Sequence, residues 1–169
     1  LRGYSNFMNK IWNAGRFALT HLEGSEYSGE ITGAADLKLP EKWILAKLME
    51  LNKKVTKGLD EYRFAETALA LYDFFWHSFC DWYIEMAKIE LFKDDSEYKE
   101  TVKSVLARVL RDSMILLHPI VPFITEEIYS HIPLKGRKES IMKELRPEVD
   151  EALCFETGEM DILMDIIYH

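Results

Sequence analysis

Asn9, Lys10, Asn13, Arg16 and Phe17 crowd into nine residues near the start of the chain. Wound at about 100° per residue, they share one arc of a helix with Asn6 and Thr20. The opposite arc holds Tyr4, Phe7, Met8, Ile11, Ala14, Ala18, Leu19 and Leu22. A phenylalanine among amides and cations is misplaced for a core. It suits a surface that stacks an unpaired base, with an amide at the base edge and cations on phosphates. A solvated helix face with one ill-placed aromatic has the same pattern, as has a ring packed under a loop, and periodicity does not choose among them. Trp12 lies between the arcs and is expected to be buried against a neighbouring helix.

Two other groups have side chains capable of chemistry. His77, Cys80 and Asp81 lie within one helical turn, which invites a nucleophile or a metal. The spacing offers no third or fourth metal ligand, and aromatic-rich turns surround the group. Cys80 is therefore expected to be a small core residue, with His77 and Asp81 paired at i,i+4 on the surface. His118-Pro119-Ile120-Val121-Pro122-Phe123 reads as a helix–helix corner. No Gly-rich phosphate loop, dinucleotide fingerprint, zinc knuckle or serine elbow is present. No catalytic, cofactor or metal residue is assigned.

The elements that position these residues read as helices. The first spans about 4–22 and stops at Gly24. A Gly- and Ser-rich loop fills 25–39. A second helix runs from Pro40, suited to a first turn, to about Gly58. The third and longest covers 60–91, with apolar positions Phe64, Ala65, Ala68, Leu69, Tyr72, Phe75, Trp76, Phe79, Trp82, Tyr83 and Met86 in steps of mostly three and four. Further helices fit 97–117, stopped by His118-Pro119, and 122–131. Residues 134–149 read as loop with a short strand or turn, and a last helix opens near Gly158. The fold class is an all-α helical bundle, with 1–133 as the bundle and 134–169 as a C-terminal extension ending in a truncated helix. The opening lacks an initiator Met and the final apolar run has no stop signal, which predicts a piece of a larger protein.

At 169 residues with 48% hydrophobic and 30% charged residues, the chain suffices for one domain with a real core. No apolar run approaches the roughly 20 residues needed to span a bilayer, and no signal peptide is visible. Two distant cysteines, Cys80 and Cys154, suit a reducing compartment. The net charge of -8 argues against a nucleic-acid partner until it is mapped. Residues 139–169 hold nine acids and two bases, while the first 22 residues hold Arg2, Lys10 and Arg16 and no acid. Salt screens fields beyond about 8 Å, so the local cations matter more to a phosphate than the distant tail.

The residues resemble a known family. Asn9-Lys10-Ile11-Trp12-Asn13-Ala14-x-Arg16-Phe17 resembles the opening helix of the anticodon-binding domain in class I aminoacyl-tRNA synthetases for valine, isoleucine and leucine. Lys42-Trp43-Ile44-Leu45-Ala46-Lys47-Leu48 resembles the second helix. Tyr62-Arg63-Phe64 and Ala68-Leu69-Ala70-Leu71-Tyr72-Asp73-Phe74-Phe75-Trp76 resemble the third, and Leu117-His118-Pro119-x-x-Pro122-Phe123-Ile124-Thr125-Glu126-Glu127 the corner. Phe79-Cys80-Asp81-Trp82-Tyr83-Ile84-Glu85 and Arg146-Pro147-Glu148-Val149-Asp150-Glu151 are closer to the valine members. Gly15 departs from the family's usual Ala, Ser or Thr, and Met8 from a frequent Cys.

The resemblance implies the helical bundle of that family and recognition of the anticodon stem-loop of tRNA(Val). Lys10, Asn13, Arg16 and Phe17 would bind the anticodon, with Asn9 and Arg63 added from position. Phe17 would stack on a base, Arg16 and Lys10 would hold base or phosphate, and Asn13 would read an edge. The family's His-Ile-Gly-His-type and Lys-Met-Ser-Lys-Ser-type signatures are not in this stretch, which would be non-catalytic. Valine activation with ATP and Mg, transfer and editing would belong to the parent ligase, with the catalytic domain of the same chain as a partner. A cytoplasmic monomer without a membrane partner is expected. The alternatives are the same domain of an isoleucine enzyme and, from another class, a helical protein-interaction module.

Overall fold

The computed structural model describes residues 2–94 and 96–168. α1 spans Arg2–Leu22 and α2 Leu39–Asp60. α3, Phe64–Asp73, runs on into a π-wound stretch, Phe74–Tyr83, and then α4, Ile84–Leu91. α5 is Lys99–Leu117, α6 Pro122–His131 and α7 Gly158–Tyr168. The described residues contain no strand, and Tyr27 and Leu134 form an isolated parallel bridge. The all-α class holds. Among the described residues, no helix is long and apolar enough to cross a membrane.

α5 is the axis of the bundle. Val102, Val105, Leu106, Val109, Leu110 and Met114 are fully buried, because α1, α2, α4 and α6 all pack on it. A helix covered on several sides is apolar around most of its circumference. Pro122 opens α6 at a first-turn position, where its missing N–H is no loss. Residues 134–157 wrap the bundle through short turns capped by the side chains of Ser140 and Asp150. Buried Ile141 and Leu153 anchor this strap. α7 lies on α2, where the buried Trp43 indole Nε1 donates to Asp161 Oδ1 at 3.2 Å.

Three boundaries and placements differ from the sequence expectation. Gly58 does not end the second helix. It sits inside α2, where a Cβ would collide with Thr67 Oγ1, so it marks where α2 and α3 cross. The helix runs on to Asp60 and is terminated just past the Glu61 cap by Tyr62, which takes the left-handed φ of 58° usually given to glycine. Arg63 N–H donates to Gly58 O at 2.7 Å and Tyr62 N–H to Leu59 O at 3.2 Å, satisfying the last carbonyls. This corner turns Phe64, Ala65 and Leu69 outward, while Thr67 and Leu71 go in. Trp12 is likewise not buried. It is 45% exposed at the rim between α1 and α6.

The α1–α6 crossing explains Gly15. A Cβ there would stand 2.7 Å from Ile128 Cδ1 and 3.1–3.2 Å from two more Ile128 carbons. Gly15→Ala would gain about 1 kcal/mol of helix propensity, but the new methyl would collide with three carbons of Ile128 and force that side chain off its position, at a cost of about 1–3 kcal/mol. A net loss in the denaturation midpoint is expected. In an Ile128→Val background, which removes the nearest methyl, the same change should turn neutral or favourable. A gain from Gly15→Ala alone would show that the two helices spread freely.

Candidate nucleic-acid interface

The outward face of α1 is bounded by two aromatic residues. Trp12 stands on the α6 side and Phe17 on the α4 side, with Asn9, Asn13 and Arg16 exposed between them. Among the described residues, nothing engages the side chains of these three by hydrogen bond or ion pair. The face keeps its amides and its guanidinium unspent. The inward face buries Ile11, Ala14, Ala18 and Leu22, which fixes the rotation of the helix.

Lys10 is different. Its Nζ lies 2.6 Å from Asp81 Oδ1 and 5.0 Å from the Trp76 ring centroid. Asp81 Oδ2 also faces His77 Nδ1 at 3.2 Å, the surface pair expected from their spacing. The π winding brings Trp76 and Asp81 to the same cation. Five residues apart, they would be about 140° apart on an α-helix, whereas i→i+5 winding returns them to one side. The first 22 residues are thus free of acid in sequence but not in space. Cys80, one residue before Asp81, is buried, and burial pushes its thiol up to about 12, with Lys10 opposing. It is a core residue without nucleophilic character. No group of three His, Cys, Asp or Glu among the described residues is placed to hold a metal.

Phe17 is half-buried. Its centroid is 4.5 Å from the His21 ring, which meets Phe92 edge-on at 5.4 Å. Lys88 Nζ stands 5.4 Å from the Phe17 centroid and is itself 2.7 Å from Glu85 Oε1. The His21 imidazole is pushed below its usual range, first by burial and then by the Lys103 and Lys99 charges. Cations therefore gather at this edge. Lys88, Lys99 and Lys103 carried no signal in the sequence, because they are 71 or more residues from Phe17 and only packing brings them near.

Arg63 stands apart from the others. It sits at the α2–α3 corner, bound to Glu61 at 2.6 Å and Glu66 at 3.4 Å. Trp76, the neighbour of Lys10, lies 13 residues further along the long helix, so the separation is on the order of 20 Å.

Residues 41–168 match the family model for the anticodon-binding domain of tRNA ligase. The chain is 48% identical over 164 residues to a valine--tRNA ligase of Halalkalibacterium halodurans, covering 96% of this chain and 18% of that protein. It is 46% identical to one from Bacillus cereus with the same coverage. To one from Syntrophotalea carbinolica it is 43% identical over 169 residues, covering 99% of this chain and 19% of the relative. The chain thus spans about a fifth of the length of the curated relatives it matches. The family model begins after α1, whereas the 99% coverage takes α1 in.

Proposed function

The chain belongs to the anticodon-binding domains of tRNA ligases, and on that premise we propose that it reads the anticodon of tRNA(Val) with the outer face of α1. The observation that carries this reading is the set of free polar side chains, Asn9, Asn13 and Arg16, held between two aromatic edges. A single strand laid along that face meets amides that both donate and accept, a guanidinium for phosphate or base, and Phe17 as a stacking partner. Lys10 contributes as a cation shared with Asp81. Arg63 takes part only if the RNA extends to the α2–α3 corner.

The likeness to valine--tRNA ligases supports tRNA(Val) over the isoleucine acceptor. The parent protein would attach valine using ATP and Mg on a catalytic part of the same polypeptide, in the cytoplasm and as a monomer. This stretch would supply recognition and no chemistry.

The test is the salt dependence of tRNA binding by the ligase that contains the chain. Each phosphate contact to a single strand contributes about 0.7 to the slope of log K against log salt. Arg16→Ala should weaken binding and lower the slope by about that much. Lys10→Ala should do less, because in the free protein Lys10 already has Asp81 as a partner. If Arg16→Ala leaves both affinity and slope unchanged, the α1 face is not the interface.

A further inference from the structure

A second place for a base lies beside the face just described. Between α1 and α6 runs a groove lined by Trp12, Arg16, Leu19, Glu127, Ile128 and His131, with a cavity of about 160 Å³. An apolar cavity of about 150 Å³ accommodates a benzene ring, so the groove has room for one heterocyclic ring. The walls are apolar except at the rim. Gly15 presents no side chain toward α6, so Ile128 forms the floor. The Trp12 indole borders the groove while remaining 45% exposed. One turn before Glu127 on the same stripe of α6, Phe123 is 91% exposed, outside the groove lining.

We propose that this groove receives one base of the same RNA loop, turned out of its stack and laid against Trp12. The inference rests on the RNA-binding reading of α1. Continuity carries it. Arg16 belongs both to the groove and to the free polar face, so a strand lying along Asn9 and Asn13 passes the mouth of the groove. There the guanidinium holds the phosphate of the turned-out nucleotide. An indole is one of the aromatic faces on which unpaired RNA bases stack, and such stacking tolerates any base face. The Glu127 carboxylate at the opposite rim accepts a hydrogen bond from an exocyclic amine, favouring a base that carries one. α1 then holds two stacking partners, Phe17 on one edge and Trp12 on the other, for two different bases.

The experiment measures equilibrium binding of tRNA to the ligase containing the chain, with Trp12→Leu, Trp12→Phe and Phe17→Ala variants. Each loop nucleotide of the tRNA is made abasic in turn. Losing one base stack corresponds to a weakening of roughly 5- to 150-fold. Trp12→Leu should show a loss in that range, and Trp12→Phe should recover most of it. The loss should vanish with one abasic tRNA, and at a different nucleotide from the one that cancels Phe17→Ala. The proposal is overturned if Trp12→Leu binds as wild type, or if its loss persists with every abasic tRNA. The latter result would assign Trp12 to packing against another part of the protein. If Phe17→Ala is weakened and Trp12→Leu is not, the groove alone fails; if neither changes, the RNA-binding reading of α1 fails with it.

Discussion

Arg108→Ala is expected to lower the stability of the chain by about 3–5 kcal/mol, the cost of leaving one member of a buried ion pair alone. Asp112 is fully buried on α5, and Arg108 Nε reaches its Oδ2 at 2.6 Å. The same guanidinium donates through Nη1 to Gly29 O at 2.9 Å, tying the α1–α2 loop to the axis of the bundle. Arg111 touches Asp112 at 3.4 Å and Glu144 at 3.3 Å, and Tyr129 Oη donates to Glu144, which fastens the strap. Without Arg108, Asp112 keeps only the longer Arg111 contact. At 2–4 °C per kcal/mol for a domain of this size, the melting temperature should fall by roughly 6–20 °C. Two controls identify the mechanism. Burial already pushes the Asp112 carboxyl up, opposed by Arg108 and Arg111, and removing Arg108 raises it further. A carboxyl raised on folding makes the native state bind the extra proton, so its penalty grows as pH rises above the unfolded value and disappears below it. The gap between Arg108→Ala and wild type should therefore narrow on acidification. The double change Arg108→Met with Asp112→Leu should cost much less than Arg108→Ala. A pH-independent loss would point to lost packing in place of a stranded charge.

Phe17→Ala is expected to weaken tRNA binding by the parent ligase by about 1–3 kcal/mol, or roughly 5- to 150-fold. The ring also packs against His21 beneath Lys88, so truncation costs some stability as well. Phe17→Leu separates the two effects. It keeps apolar volume beside His21 and removes the planar face, so stability should be nearly retained while most of the binding is lost. Phe17→Tyr should bind close to wild type. Equal binding by Phe17→Leu and wild type would make Phe17 a packing residue.

The bundle was legible in the sequence because its helices carry a strong 3.6-residue period, and Pro122 and Gly24 punctuate them. The α2–α3 corner was not. Tyr62 occupies a position where glycine is the usual signal, and the glycine that is present, Gly58, serves a helix crossing instead. The exposure of Phe64 and Leu69 follows from that shift. On α1, the polar arc of Asn9, Asn13 and Arg16 was legible from spacing alone, and these residues are exposed. The Asp81 partner of Lys10 was hidden because a 3.6-residue reading of residues 74–83 turns it away from Trp76, and the π winding brings it back. Trp12 was misjudged for a related reason. An angle midway between two arcs does not say how closely the next helix approaches, and Gly15 seats α6 against its own position, leaving Trp12 at the rim.

The measurement that bears most directly on the central claim compares two tRNA(Val) transcripts that differ only in the anticodon, one with the valine triplet and one with the isoleucine triplet. Each is bound to the parent ligase and to its Phe17→Ala form. If the outer face of α1 reads the anticodon, wild type favours the valine triplet, and Phe17→Ala reduces that preference along with affinity. If both forms bind the two transcripts alike, or if Phe17→Ala keeps the full preference, discrimination lies elsewhere in the protein.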